Sequence, residues 1–226
     1  MSSSSPHLTR VSRFGLVNAY LVREDDGLTL VDTMLPGSAK AILAAAERAG
    51  APIRRIALTH AHGDHIGSLD ALAAALPDAE VLISDRDARL LGKDRTMDPG
   101  EPQDKLRGDY RGANTRPTRT LAPGDRVGSL EVVASPGHTP GHVTFLDARD
   151  GTLLCGDVFT TINGVATSAT SNWRFTFASM ATWSSELDVA SARALRALDP
   201  ARLAPGHGKV VEAPGAAMDA AIAKAA

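Results

Sequence analysis

Residues 59–66 read Thr59-His60-Ala61-His62-Gly63-Asp64-His65-Ile66, which puts three imidazoles and a carboxylate between positions 60 and 65. A packed core cannot absorb that many polar groups, and a helix cap needs only one of them. His60 and His62 lie two apart at the end of an apolar run, Ile53-Arg54-Arg55-Ile56-Ala57-Leu58-Thr59, that reads as a buried strand. Alternate side chains of a strand point the same way, and small Ala61 and Gly63 let the backbone fold tightly around a shared centre. Asp64 and His65 then open the next helix, aimed at the same spot. Nitrogen and oxygen donors converging in so short a turn suit zinc, or iron or manganese.

Working outward, the chain alternates strands and helices. VNAYLVRED and GLTLVDT form a hairpin through Asp26-Gly27, and a helix is expected over Ser38 to Ala49 with Gly50 as its stop. A further helix is expected from Ile66 to Leu76, then the strand VLIS and a short helix over Arg86 to Leu91. Residues 92–120 carry Pro, Gly and both charge signs without a period, and read as a long surface excursion. SLEVVAS, HVTFLDA and TLLCGD return as strands. A helix is expected from about Ala181 to Leu198, then the short strand ARLAP and an Ala-rich terminal helix. Two such runs, about 1–120 and 121–226, predict an α/β chain forming one domain of two similar halves. The expected architecture is a four-layer αβ/βα sandwich with two sheets inside and helices outside.

His138 in SPGHTPGH, Asp157 in CGDVF and His207 in APGHGK each follow a strand and a glycine. Residues at the carboxyl ends of strands gather at one edge of an α/β fold. With the first cluster they make five His and two Asp, enough for two metal ions sharing one carboxylate. The pattern resembles the metallo-β-lactamase superfamily over nearly the whole chain: H-x-H-x-D-H is His60, His62, Asp64 and His65, and the family's later His, Asp and His are His138, Asp157 and His207. The resemblance implies one metal on His60, His62 and His138 and a second on Asp64, His65 and His207, with Asp157 bridging. It makes Asp32 a neighbour of the ligands rather than a ligand. His142, four residues after His138, reads as a supporting residue because the ligand count is complete without it. Cys155 reads as a small buried apolar residue, and His7 as solvated.

The chemistry implied is hydrolysis. Two zinc ions, two carboxylates and a bridging hydroxide leave about one net positive charge, and metal binding brings the pKa of water to roughly 7. Asp64 is the candidate to orient the attacking hydroxide or carry a proton to the leaving group. The expectation is therefore a dinuclear metal-dependent hydrolase of an ester, lactone or thioester. A mononuclear-iron oxidoreductase of the sulfur dioxygenase type, with its iron at His60, His62 or His138 and Asp157, is the first alternative. A non-catalytic ligand-binding protein is the second. Within the family, the hydroxyacylglutathione hydrolase branch is disfavoured because only residues 208–226 follow His207. The usual lactonase Tyr after the bridging Asp is missing. True β-lactamases generally lack a residue like Asp157, and flavodiiron enzymes would have Glu in place of His62.

Composition narrows partners. The 24 Lys+Arg against 26 Asp+Glu give a net charge of −2, which offers no pull towards nucleic acid. The 43% hydrophobic and 22% charged content excludes disorder, collagen and coiled coil. The single Cys, a signal-free N-terminus and the lack of a long apolar run predict a cytoplasmic protein acting on a small molecule, without membrane insertion and with a homodimer allowed. Phe159, Trp173, Phe175, Phe177 and Trp183 hold five of the scarce aromatics just after Asp157. The first four of these are expected to touch substrate, as an apolar wall, with a dimer interface or small core as the competing reading. The excursion 92–120, with Arg107, Arg111 and Arg116, is the other segment expected to border the site, simple solvation of its charges being the commoner case.

Overall fold

A computed structural model describes residues 5–170 and 177–225. The first sheet runs in the order β1 (Leu8–Arg13), β2 (Val17–Glu24), β3 (Gly27–Val31), β4 (Ile53–Ala57), β5 (Glu80–Ser84), β6 (Arg119–Leu121). Its first three strands are antiparallel, and β3 to β6 are parallel. Helices α1 (Ala39–Ala49), α2 (Gly63–Ile66), α3 (Leu69–Ala75) and α4 (Asp85–Leu91) fall between its strands. The second sheet takes β7 (Arg126–Val127), β8 (Leu130–Ala134), β9 (Val143–Asp147) and β10 (Thr152–Gly156). After a separate ribbon, β11 (Phe159–Thr160) with β12 (Ala166–Thr167), it is completed by β13 (Arg202–Pro205) and β14 (Val211–Glu212). The remaining helices are α5 (Phe177–Ala181), α6 (Ser185–Ala197) and α7 (Gly215–Ala225).

Side-chain alternation sorts the apolar residues into three cores. In β2, Ala19 and Leu21 face the helices while Tyr20 and Val22 face the second sheet. The first core joins such residues to Ile42 of α1, Leu69 and Leu72 of α3, and Leu90 of α4. The middle core lies between the sheets and pairs Val31, Ala57 and Leu82 with Val132, Phe145 and Leu154. In β10, Leu153 and Cys155 turn away from Leu154 to meet Ala192 and Leu195 of α6 and Met218 of α7. The result is the expected order of layers, helix, sheet, sheet, helix. Among the described residues no helix is long and apolar enough to cross a membrane.

Three local expectations change. Leu8–Arg13, not foreseen as a strand, pairs with β2 as an edge strand whose residues are at most half-buried. The helix expected from Ile66 to Leu76 breaks into α2 and α3. Gly67 is pressed against Pro36, and the Ser68 hydroxyl donates to the Leu35 carbonyl and accepts the Ser38 N–H. That bracing bends the chain and supports the loop after β3. The excursion has no helix or strand from 92 to 118, but side chains pin it down: Asp70 accepts the N–H groups of Asn114 and Thr115, and Arg86 pairs with Glu101.

Candidate metal centre

The seven sequence-derived donors converge. Their carriers are the β4–α2 segment of the first sheet and the segments after β8, β10 and β13 of the second, so the site lies where the two sheets' strand ends meet. Three sets of donor atoms fall within 4.8 Å of one another: His60, His62 and His138; His60, His65 and Asp157; and Asp64, His65 and His207. His62 Nδ1 stands 3.0 Å from His138 Nε2. The Asp157 carboxylate lies between the groups, with Oδ2 3.3 Å from His138 Nε2 and 3.1 Å from His207 Nε2, and Oδ1 3.2 Å from His65 Nε2. Asp64 Oδ2 is 3.3 Å from His207 Nε2, and its side chain, 34% exposed, is the most open of the seven.

Each imidazole is turned by a partner on its outer nitrogen. His65 Nδ1 meets Asp32 Oδ2 at 2.8 Å, His62 Nε2 meets the Arg107 carbonyl at 3.0 Å, and His207 Nδ1 meets the Leu16 carbonyl at 3.2 Å. His60 Nδ1 is 3.0 Å from the Thr59 hydroxyl, which itself donates to Asp32. His138 Nδ1 is 3.0 Å from the Thr182 hydroxyl, whose single proton has the Ala178 carbonyl at 2.8 Å and the Ser168 carbonyl at 3.0 Å as acceptors. Because these partners accept, the outer nitrogens carry protons, and in the neutral imidazoles the inner ones are the lone pairs left for a cation. His142 does not join them: its Nε2 accepts the Asp157 N–H at 3.1 Å, and its Nδ1 meets the Ser135 hydroxyl. It therefore fixes the backbone of the central carboxylate.

Electrostatics follow from that crowding. Burial, aided by His138, pushes His62 down to about 3, and burial with His65 and His62 lowers His60. For His65 and His207 burial is the largest influence and opposes the charged form, but the surrounding carboxylates together outweigh it, Asp157 first with Asp32 and Asp64 for His65 and with Asp64 for His207, raising His65 and pushing His207 up to about 9. Burial likewise opposes ionisation of Asp64 and Asp157, yet the neighbouring imidazoles hold both carboxyls below the usual range. The donor set also fits a cation on independent grounds. Among the described residues buried His60 Nε2 has no hydrogen-bond partner, and buried His65 Nε2 and Asp157 Oδ1 meet only each other, as an ion pair without hydrogen-bond geometry, which is costly unless another group takes their lone pairs. Gly206 keeps room for such a group, since a Cβ there would fall 2.4 Å from Asp157 Oδ1.

Above the donors opens a cavity of about 520 Å³. His62, Asp64, His138, Asp157 and His207 form its floor, and Leu16, Val17, Leu35, Ala178 and Ala181 form apolar walls. Asp109 and Arg111 stand at its edge, paired with each other. Of the expected border residues, Arg111 is therefore present, Arg107 contributes its carbonyl to His62, and Arg116 lies beside Gly92 instead. Phe159 requires a correction. It is fully buried among Cys155, Leu195 and Met218 and does not line the cavity, because pairing of β11 with β12 sets it in the third core. Trp173, Phe175 and the side chain of Phe177 lie outside the described residues. Trp183 is buried, with its indole N–H donating to the Asp104 carbonyl and its backbone N–H to the His138 carbonyl.

Sequence reasoning missed three kinds of support. Asn18 donates to the Pro205 and Gly208 carbonyls on either side of His207; a polar residue inside the apolar run VNAYLV was the available signal. Asp87 and Asp188 are fully buried acids that no spacing rule marks. Thr182 carries no sequence signal for its role.

A profile described as the metallo-beta-lactamase superfamily matches residues 12–207. YobT, an uncharacterized protein of Bacillus subtilis, is 46% identical over 210 residues, 92% of this chain and 90% of its own length. A hydroxyacylglutathione hydrolase of Xanthomonas axonopodis pv. citri is 33% identical over 61% of this chain, a match spanning only 44% of that enzyme. Among solved structures, TTHA1623 in a di-iron-bound form is 26% identical, with a TM-score of 0.65 over 92% of this chain and 95% of that one. A metallo-beta-lactamase from Pontibacter korlensis superposes with a TM-score of 0.72 over 99% and 97% of the two chains, and at 16% identity it speaks for the fold alone. By the extent of the profile match, the chain belongs to the metallo-beta-lactamase superfamily.

Proposed function

We propose that the protein is a dinuclear metal-dependent hydrolase of small esters, lactones or thioesters with an uncharged, apolar acyl part. The observation that carries this reading is the convergence of seven donors, with three of their buried atoms left without a hydrogen bond of good geometry among the described residues, beneath one apolar-walled cavity. His60, His62 and His138 would hold one ion and Asp64, His65 and His207 the other, with Asp157 between them. Zinc suits this donor set, with iron or manganese as alternatives. When bound, the ions would lower the pKa of a water molecule and polarise the attacked carbonyl.

The chain's own residues do the rest. Asp64 is the less buried of the two carboxylates of the floor, so it can orient the attacking water and pass its proton to the leaving group. Leu16, Val17, Leu35, Ala178 and Ala181 would receive the acyl group and keep bulk water from the carbonyl. Among the described lining residues the one guanidinium, Arg111, is paired with Asp109, so these residues offer no unpaired positive charge for a phosphate. The relatives named hydroxyacylglutathione hydrolase support a thioester, and the expectation against that branch is accordingly relaxed for the reaction type. Their matches cover 44–52% of those enzymes, which leaves their substrate outside the proposal.

The test is metal quantification on protein purified without added metal, followed by a panel of lactones, thioesters, aryl esters and phosphodiesters. We expect two ions per chain and turnover of uncharged acyl substrates. Asp64→Ala and His62→Ala should each remove nearly all of that turnover while the folded circular-dichroism spectrum persists. Undiminished hydrolysis in both variants would sink the assignment, and one iron without zinc or hydrolysis would favour the oxidoreductase alternative.

A further inference from the structure

Asp87, in α4, is fully buried, and among the described residues no salt bridge reaches its carboxylate. Three hydrogen bonds hold it instead. Oδ2 accepts the Ala61 N–H at 2.9 Å and the Thr139 hydroxyl at 2.8 Å, and Oδ1 accepts the Gly141 N–H at 2.8 Å. Ala61 sits between His60 and His62, and Thr139 follows His138. One carboxylate therefore ties together the two loops, from different sheets, that carry all three donors of one candidate ion site. Ser84 completes the clamp, accepting the Asp87 N–H at 3.1 Å and donating to the Gly141 carbonyl at 2.5 Å. Gly141 is thus gripped at both its N–H and its carbonyl, and a Cβ there would fall 2.5 Å from Asp87 N.

A buried carboxylate without a counter-ion is costly to keep, and the cost is recovered only if its hydrogen bonds are complete and well aimed. We propose that Asp87 is a positioning residue that sets the separation of His60 and His62 from His138, and so the affinity of that ion site in particular. The proposal rests on reading the donors as a metal centre. Two imidazole nitrogens sharing a tetrahedral zinc lie about 3.3 Å apart, close to the 3.0 Å between His62 Nδ1 and His138 Nε2. A loop displacement of a few tenths of an ångström is then enough to matter. The donors Asp64, His65 and His207 touch none of these bonds; Asp32 and the Leu16 carbonyl hold the latter two. Asp87 should therefore act on one site and spare the other.

The experiment titrates zinc, and separately cobalt, into metal-free protein against a chromophoric chelator. His62→Ala identifies which binding step belongs to the three-histidine site. In Asp87→Asn one acceptor is replaced by an amide N–H2 facing donors. That step should weaken about 10–100-fold, the usual range for partners of metal ligands, with the other step changed less than twofold. With a lactone or thioester that the wild type turns over, kcat should fall and KM stay constant. Thr139→Val keeps the carboxylate and removes one donor, and should weaken the same step severalfold. If Asp87→Asn does not fold, Thr139→Val decides alone. Equal weakening of both steps, or unchanged affinities with only a lower melting temperature of the metal-free protein, would make Asp87 a fold staple and overturn the proposal. A wild type that binds no metal would instead overturn the proposed function before any variant is made.

Discussion

Asp32 holds its backbone at φ +60°, in the left-handed region where Asp and Asn are better tolerated than most residues. From there both carboxylate oxygens work: Oδ1 accepts the Thr59 N–H at 2.8 Å, and Oδ2 takes the Thr59 hydroxyl and faces His65 Nδ1. Asp32→Asn keeps the backbone and the size but turns an N–H2 towards a donor. The expected result is a 10–100-fold loss of affinity at the site containing His65, read by chelator competition; an unchanged affinity would show that His65 needs no anionic partner. At this scale the sequence was most legible where a residue type is chemically expensive. Three imidazoles and an acid in one turn have few bland explanations, so the donors stood out. Thr182 and Asp87 did not, because hydroxyls and acids near strand ends are common and only the fold shows what they touch. Phe159 was misread because closeness in sequence to Asp157 does not fix which way a ring faces, and pairing of β11 with β12 turns it into the third core.

The α5–α6 segment shows how an element serves the site without supplying a donor. Ser184 caps α6 by accepting the Leu187 N–H. Asp188 in its first turn is buried and accepts the Ser168 hydroxyl and the Ala169 N–H. Ser168 in turn meets the Thr182 hydroxyl that orients His138. Burial pushes the Asp188 carboxyl up to about 7 despite these bonds. Between about pH 4 and pH 7 the folded protein therefore keeps a proton that the unfolded chain has released, and stability falls as pH rises through that window. Asp188→Asn has no proton to lose, so its stability relative to the wild type should improve from pH 5 to pH 8 in urea titrations. A constant difference would mean that Asp188 is ionised throughout. The helix itself was legible from its apolar spacing, and so were α1 and the inner strands. The break between α2 and α3 was not, since Pro36 and Leu35, which bend it, lie thirty residues upstream.

For the whole molecule, the middle core draws on both sheets, and so does the candidate centre. Ions there would join the sheets at their strand ends. An ion present at a thousand times its Kd stabilises by about 4 kcal/mol, roughly 8–16 °C in melting temperature for a chain of this size. Treatment with a strong chelator should lower the melting temperature by that order, and added zinc should restore it; a curve indifferent to both would remove ions from the site. The layer order was legible because doubly buried strands read as continuous apolar runs. β1 was not, being a polar edge whose place is set by pairing with β2.

The hairpin between β1 and β2 ends in Phe14, 77% exposed, and Leu16, 45% exposed, and the Leu16 carbonyl is the partner of His207 Nδ1. Leu16 thus belongs at once to the cavity wall and to the support of a donor imidazole. Two events that meet at one residue share a coupling free energy, and linkage makes it reciprocal. Whatever an acyl group does to the tightness of the His207 site by pressing on Leu16, filling that site does equally to the affinity for the acyl group. A binding isotherm for an inert acyl analogue, taken with and without metal, reads that shared quantity directly.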